Sequence, residues 1–161
     1  MNNTKTIENL NKALQMEMSA SHQYQLHAHV LDDWGLNVMA EKMREEQAEE
    51  LGHSDLFIER ILFLKGTPEI AFAKPPKAAT NLREVFEADL ADEEEAIEFY
   101  LDAARQAYDA GDVGSRSLFE RIALDEEGHK GWLELQLDLI ERIGEKAYSA
   151  KLVSFAPSEG A

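Results

Sequence analysis

The chain contains no cysteine. That absence excludes a disulfide framework, a rubredoxin-type metal centre, an iron–sulfur cluster and a thiol nucleophile. Long apolar runs are missing as well. Nothing approaches the roughly 18 consecutive residues needed to span a bilayer, and the polar stretch from Met1 to Lys12 lacks the apolar region of a signal peptide. These absences predict an untargeted, soluble protein with no membrane partner, and a reducing cytoplasm, the expected location, suits a chain without cysteine. Basic residues are scarce, 16 Lys and Arg against 32 Asp and Glu, and the formal net charge is −16. A nucleic-acid partner is therefore not expected, because backbone phosphates would be repelled; cations are the favoured ligands. Proline is confined almost entirely to one stretch, Pro68, Pro75 and Pro76.

What is present is a 44% apolar content in 161 residues, enough to fill one sizeable core. Residues 1–161 are expected to form a single domain, with the core over 5–153 and a mobile tail over 154–161. The apolar periodicity is helical throughout. From Thr6 to Leu31, the positions Leu10, Ala13, Leu14, Glu17, Ser21, Tyr24, Ala28 and Leu31 recur at three- and four-residue intervals. A second helix is predicted from Asn37 to Leu64, with Met43, Glu50, His53, Phe57, Ile61 and Leu64 on one face. Asn81 is a candidate N-cap for a third helix reaching Ala110, through Val85, Phe86, Leu90, Glu93, Ile97, Tyr100 and Ala104. A fourth runs from Ser115 to Ile143 through Phe119, Ile122, Glu126, His129, Leu133 and Leu137, closed by Gly144. A short fifth helix is predicted over Lys146 to Val153.

Charged residues interrupt these apolar stripes in a repeating way. Glu17, Glu50 and His53 recur as Glu93, Glu126 and His129, each displaced by 76 residues. The pattern is a lone Glu, a gap of 33 residues, and Glu-x-x-His, which lets a helix bundle close four carboxylates and two imidazoles around two metal ions. The midpoint of each gap falls at a helix break, at Asp32 to Gly35 and at Ala110-Gly111, so each pair lies at one height on two antiparallel helices. The segment from Lys65 to Asn81 is far longer than the roughly two to eight residues usual between adjacent bundle helices. It can return the chain along the full bundle, leaving the two hairpins related by a two-fold axis at the ligand level.

Four buried, unpaired carboxylates would be very costly, and two divalent or trivalent cations remove that cost. A carboxylate-rich set with one imidazole per ion suits iron or manganese rather than structural zinc. By symmetry Glu17 and Glu93 are terminal carboxylates, His53 and His129 terminal imidazoles, and Glu50 and Glu126 bridges. Two ions about 3.5–4 Å apart can bind dioxygen or peroxide and each supply one electron. His22, His27 and His29 lack this context and lie off the first helix's core stripe, so all three are expected at the surface. Tyr24 and Tyr100, also 76 residues apart, are expected to be buried and to hydrogen-bond a ligand or water.

Ala48-Glu49-Glu50-Leu51-Gly52-His53, Ile58-Glu59-Arg60-Ile61-Leu62-Phe63-Leu64 and Asp125-Glu126-Glu127-Gly128-His129 resemble bacterioferritin, as do Asp33-Trp34-Gly35-Leu36 and Trp132-Leu133-Glu134. The likeness runs from Lys5 to Tyr148. It implies an all-α, ferritin-like four-helix bundle of two antiparallel hairpins with a long crossover and a short fifth helix. It also implies a hollow cage of about 24 subunits, as such cages are assembled by closed symmetry. Each subunit would hold two irons in a ferroxidase centre that oxidises Fe(II) with O2 or H2O2 and feeds a ferric mineral.

One position departs from that family, in which a methionine directly after the bridging Glu of the second helix ligates haem b at a subunit interface. Here Leu51 stands there, and leucine has no donor atom for iron. The resemblance thus implies a haem-poor homo-oligomer, or a ferroxidase subunit partnered with a haem-binding sibling. It further implies Tyr24 as an electron donor, and a ferredoxin-type protein as a possible reductant for iron release. Glu45 occupies an inner position where the family often has His; Glu45 and Glu49 are expected to be solvated charges beside the site. Two other classes stay open, a non-storage di-iron oxygenase and a passive metal-buffering bundle.

Overall fold

The structure is a computed structural model that describes residues 3–155. Four long helices build it, α1 (Thr4–Asp33), α2 (Asn37–Phe63), α3 (Leu82–Asp109) and α4 (Val113–Ile143), followed by α5 (Glu145–Ser149) and a 3-10 turn (Ala150–Leu152). No strand occurs among the described residues. The predicted fifth helix is thus split, and α4 begins earlier than Ser115. Asp112 explains the earlier start: its carboxylate accepts from the Ser115 backbone N–H at 3.0 Å and from the Ser115 hydroxyl at 2.8 Å, a capping geometry that needs no residue at 115 to begin the helix. Asn81 caps α3 as its position predicts, accepting from Glu84 N–H at 2.9 Å while Glu84 reaches back to the Thr80 N–H at 2.8 Å. Of the expected tail, residues 156–161 lie outside the described residues.

Both hairpin turns use the same device, and it too repeats after 76 residues. Gly35 (φ 80°) and Gly111 (φ 73°) take the left-handed conformation just past α1 and α3. The following N–H groups then fold back, Leu36 to Leu31 at 2.8 Å and Asp112 to Ala107 at 2.9 Å. A Cβ at either glycine would sit in open space, so it is the positive φ, not crowding, that asks for glycine.

The turns lie at opposite ends of the bundle, and the core divides accordingly. One apolar cluster joins Leu31, Leu36, Met39, Phe86, Leu133 and Tyr148; the other joins Leu14, Phe57, Ile61, Tyr100, Phe119 and Ile122. Between them runs the layer of Glu and His side chains. The crossover, residues 64–81, lies along α1 and is pinned to it at three levels. Asn11 holds Thr67 and Glu69, Ser19 accepts from Lys74 N–H at 3.1 Å, and Gln23 both accepts from Lys77 N–H and donates to Lys77 C=O at 2.9 Å.

His27 corrects the sequence reading. It is fully buried, whereas His22 is half-buried and His29 exposed. Its surroundings fix its tautomer. Because both backbone groups of Lys77 orient the Gln23 amide, the Gln23 Nε2 faces His27 Nε2 at 2.9 Å. His27 Nε2 must accept, so its proton sits on Nδ1 and is donated to Asp89, whose carboxylate lies 3.0–3.1 Å away. Gln23, His27 and Asp89 were not legible as a unit, because their meeting depends on how α1, α3 and the crossover pack.

Candidate metal centre

Each helix brings its ligand to one level in the middle of the bundle. Glu17, Glu50, His53, Glu93, Glu126 and His129 are all buried, with relative exposures between 0% and 9%. Their donor atoms fall into two groups. Glu17, Glu50, His53 and Glu126 converge within 4.8 Å of one another, and so do Glu50, Glu93, Glu126 and His129. Glu50 and Glu126 belong to both groups, the placement a bridging carboxylate requires. His53 Nδ1 is 3.1 Å from Glu126 and 3.6 Å from Glu17; His129 Nδ1 is 2.9 Å from Glu126, 3.1 Å from Glu50 and 3.6 Å from Glu93.

The hydrogen bonds inside the site do not satisfy it. Glu17 Oε2, Glu50 Oε1, both Glu126 oxygens and Nδ1 of both histidines are buried without a hydrogen-bond partner. Buried polar atoms are rarely left so, and six of the nine such side-chain atoms among the described residues belong to these converging ligands. Four carboxylates carry a charge that two divalent cations cancel, so the donor set fits a pair of such ions. The chemistry of the set, oxygen-rich with one imidazole in each group, suits iron or manganese.

Around these six, further residues hold the ligands in place. Tyr24 donates to Glu93 at 2.6 Å and Tyr100 donates to Glu17. The two bonds cross between hairpins, since each tyrosine serves the terminal Glu of the opposite repeat. Both imidazoles turn Nε2 away from the centre toward a carboxylate: His53 to Asp125 at 3.1 Å, His129 to Glu49 at 3.2 Å. Such outer partners fix the tautomer that leaves Nδ1 free for a metal. Glu49 and Asp125 are themselves 76 residues apart, so the repeat extends to the outer partners. Glu49 is about half exposed and Glu45 is exposed, with side-chain exposures of 48% and 74%.

Glu46 breaks the symmetry. It is buried, lies 3.0 Å from His129 Nε2 and pairs with Lys42; its counterpart after 76 residues is the apolar Ile122. Glu46 escaped the sequence reading, although Met43, Glu46, Glu50, His53 and Phe57 form an unbroken three- and four-residue stripe that carries it. Asp89 was missed for the same reason, lying between Phe86 and Glu93 on the core stripe of α3.

Without cations, protons take their place. Burial pushes Glu126 up to about 8, with the Glu17 carboxylate adding to the rise, and burial followed by Glu17 pushes Glu50 well above the usual carboxylate range. For Glu17 burial acts upward too, but the neighbouring Glu50 carboxyl and His53 imidazole outweigh it and hold the carboxyl below its ordinary value. Burial would lower both imidazoles; the carboxylates gathered around them, led by Glu126, overcome it and hold His53 and His129 above their usual range. Burial, then Glu93 and Glu17 respectively, keeps Tyr24 and Tyr100 as phenols.

Groups whose folded values are raised bind more protons folded than unfolded, so their contribution to stability is lost as pH rises. Asp89, pushed up to about 6 by burial, acts in the same direction. A chelator-treated sample is therefore expected to melt at progressively lower temperature between about pH 5 and pH 9, while a sample loaded with Co(II) holds its melting temperature across that range. Calorimetry of both forms checks this. A chelated protein more stable at the alkaline end would contradict it.

The bundle, the crossover and the doubled ligand set place the chain in a class, that of ferritin-like domains, and the family model of that name, Ferritin-like domain, matches residues 7–143. Among curated proteins, bacterioferritin from Rhodobacter capsulatus is 42% identical over 157 residues, covering 98% of this chain and 96% of that protein. Bacterioferritin BfrA from Mycobacterium tuberculosis is 37% identical over 149 residues, covering 92% and 94%. Solved structures agree. The Rhodobacter capsulatus bacterioferritin, with a metal-free dinuclear site and a haem iron, superposes with a TM-score of 0.91 at 41% identity over 98% of this chain and 97% of that one. BfrA from M. tuberculosis gives 0.92 at 35% identity, covering 96% of each chain. The chain belongs to the bacterioferritin family.

Proposed function

We propose that this chain is an iron-storage subunit that oxidises Fe(II) at a di-iron centre formed by Glu17, Glu50, His53, Glu93, Glu126 and His129. The observation that carries the reading is the pair of buried donor groups sharing Glu50 and Glu126, with their orphaned atoms turned toward one another. Fe(II) is the substrate. Two ferrous ions give one electron each to dioxygen, which leaves with two protons as hydrogen peroxide, or to peroxide, which leaves with two protons as two waters. The chain's own part is positioning: four carboxylates and two imidazoles, already gathered at one level of the bundle, would hold both ions. The ferric product then passes into the cavity of a closed assembly of about 24 subunits, as assemblies of identical chains close by symmetry.

A di-iron oxygenase would need space for an organic substrate. The cavity that reaches the ligands has a volume of about 160 Å³, below the roughly 300 Å³ at which small-molecule pockets begin. Iron, oxygen and peroxide fit; a drug-sized substrate does not. Leu51, 44% exposed, offers no donor to haem, so a homo-oligomer of this chain is expected to be haem-poor, with haem entering through a sibling subunit that supplies methionine. A ferredoxin-type reductant for release and a cytoplasmic location complete the reading. Among the described residues, no helix is long and apolar enough to cross a membrane.

Aerobic addition of Fe(II) followed by size-exclusion chromatography and iron analysis tests the proposal. A large particle that retains far more than two irons per subunit supports storage, and a small species saturating at two rejects it. Tyr24 stands next to Glu93 and is read as a donor of one electron to the oxidation. A Tyr24→Phe variant is expected to oxidise iron about tenfold more slowly, a loss of about 1.4 kcal/mol in the barrier, with no tyrosyl radical in freeze-quenched samples; unchanged kinetics would reject that role.

A further inference from the structure

The cavity beside the ligands opens between α1, α3 and the crossover, and its floor is formed by Glu17, Glu50 and Glu93. Met16, Ala20, Ala73 and Ala96 line its walls, while Lys74, Asp92 and Glu95 stand at its mouth. Lys74 Nζ lies 2.5 Å from Asp92 and 3.4 Å from Glu95. On the floor, Glu17 Oε2 and Glu50 Oε1 are buried and without hydrogen-bond partners. One end of the cavity therefore demands a cation and the other is stoppered by one.

The stopper is anchored rather than loose. Ala73 N–H donates to the Gln15 carbonyl at 3.2 Å and Lys74 N–H to Ser19 Oγ at 3.1 Å, and Pro75 and Pro76 follow at once. Proline fixes its own φ and restricts the residue before it, so the backbone at 74 does not swing aside cheaply. The ammonium does: it is a point charge on a flexible stem, and its side chain is 54% exposed. Access is thus controlled by a side chain on a stiff strap.

Resting on the metal-site reading above, we infer that Lys74 is a displaceable plug and that Asp92 and Glu95 are transit ligands for a divalent cation entering beneath the crossover. Glu95, 65% exposed, meets the cation first; Asp92, 23% exposed, takes it next. Each carboxylate exchanges the single positive charge of Lys74 for the double charge of the ion. Released, the ammonium moves into solvent, and the unpartnered oxygens of Glu17 and Glu50 draw the cation inward. The ammonium returns to Asp92 behind it.

Anaerobic stopped-flow mixing of the intact, chelator-stripped protein with Co(II), followed by its d–d absorbance, reads entry apart from oxidation. Lys74→Met keeps the apolar stem and removes the charge. Taking one positive charge from about 5 Å of a divalent ion's path in water is expected to raise the association rate about fivefold at about 0.1 M salt, and less at high salt. The endpoint stays at two Co(II) per subunit. Glu95→Gln, at an exposed position, is expected to slow association about twofold or more, again with the same endpoint. An unchanged or slower rate for Lys74→Met, or an unchanged rate for Glu95→Gln, with two Co(II) still bound would overturn the plug while leaving the metal site standing. A parent protein that never takes up two Co(II) per subunit would overturn both.

Discussion

Replacing Glu50 and Glu126 together by glutamine is expected to abolish binding of two metals per subunit and to slow Fe(II) oxidation at least a hundredfold, since even the outer partners of metal ligands are worth about 10- to 100-fold. Both residues belong to both donor groups, so no ion keeps its full set. The same variant is expected to be more stable than the parent when both are metal-free, by about 1–4 kcal/mol at pH 7. Keeping these side chains buried requires protons that the unfolded chain would not hold at that pH, because Glu126 is pushed up to about 8 and Glu50 well above its ordinary range, in both cases first by burial. Glutamine keeps the shape and removes the ionisation. Calorimetry after chelation and Co(II) titration together check the two halves. A metal-free double variant less stable than its parent would mean that these carboxylates serve the fold before they serve a ligand.

Asp112→Ala is expected to cost about 2–4 kcal/mol, the sum of a lost helix cap and an abandoned guanidinium. Asp112 is buried, caps α4 through Ser115 and pairs with Arg60 of α2, whose Nε also donates to Ser115 Oγ at 2.9 Å. The guanidinium lies over Gly114, where a Cβ would come within 2.6 Å of it. This cluster ties the end of α2 to the turn between α3 and α4. Burial alone would raise the Asp112 carboxyl, but Ser115 and Arg60 hold it below the usual range, so its contribution is present above about pH 4 and fades as pH falls below that. Asp112→Asn, which keeps an acceptor for the cap, is expected to lose about half as much. Urea unfolding at neutral pH measures all three proteins, and a loss below about 0.5 kcal/mol, the range of ordinary surface substitutions, would contradict the assignment.

Most of the framework was legible because it is periodic. The apolar stripes of α1 to α4, the long crossover and the 76-residue recurrence of Glu, Glu-x-x-His are relations along the chain, and a helix converts spacing into position. Gly35 and Gly111 belong to the same recurrence. The features that were not legible are relations between elements. Tyr24 reaches Glu93 and Tyr100 reaches Glu17 only because the hairpins pack antiparallel across the ligand layer. His27 lies three residues after Tyr24 and four before Leu31, so its spacing places it on the stripe of α1 and only its polarity hides its burial; its partners come from α3 and, through Gln23, from the crossover. Glu46 lay within sight on the stripe of α2. Without a repeat partner, its carboxylate is indistinguishable by sequence from a solvated charge.

The splitting of α5 has a local cause. Tyr148 is anchored by its hydroxyl, which donates to Gln136 at 2.8 Å, and by its ring, edge-on to Phe86. Leu152 packs into the same cluster as Leu36 and Met39. Reaching both contacts draws the chain into a tighter turn at Ala150–Leu152. No periodicity over eight residues announces that.

The central claim is that the six-residue layer oxidises iron two ions at a time. Rapid-mixing titration of the chelator-stripped assembly with Fe(II) in oxygenated buffer, read by freeze-quench Mössbauer spectroscopy, tests it most directly. A fast phase that consumes two Fe(II) per subunit and yields spin-coupled ferric pairs, absent from the Glu50→Gln, Glu126→Gln variant, is the predicted result. Oxidation that shows no break at two irons per subunit, or that proceeds equally fast in the variant, would contradict it.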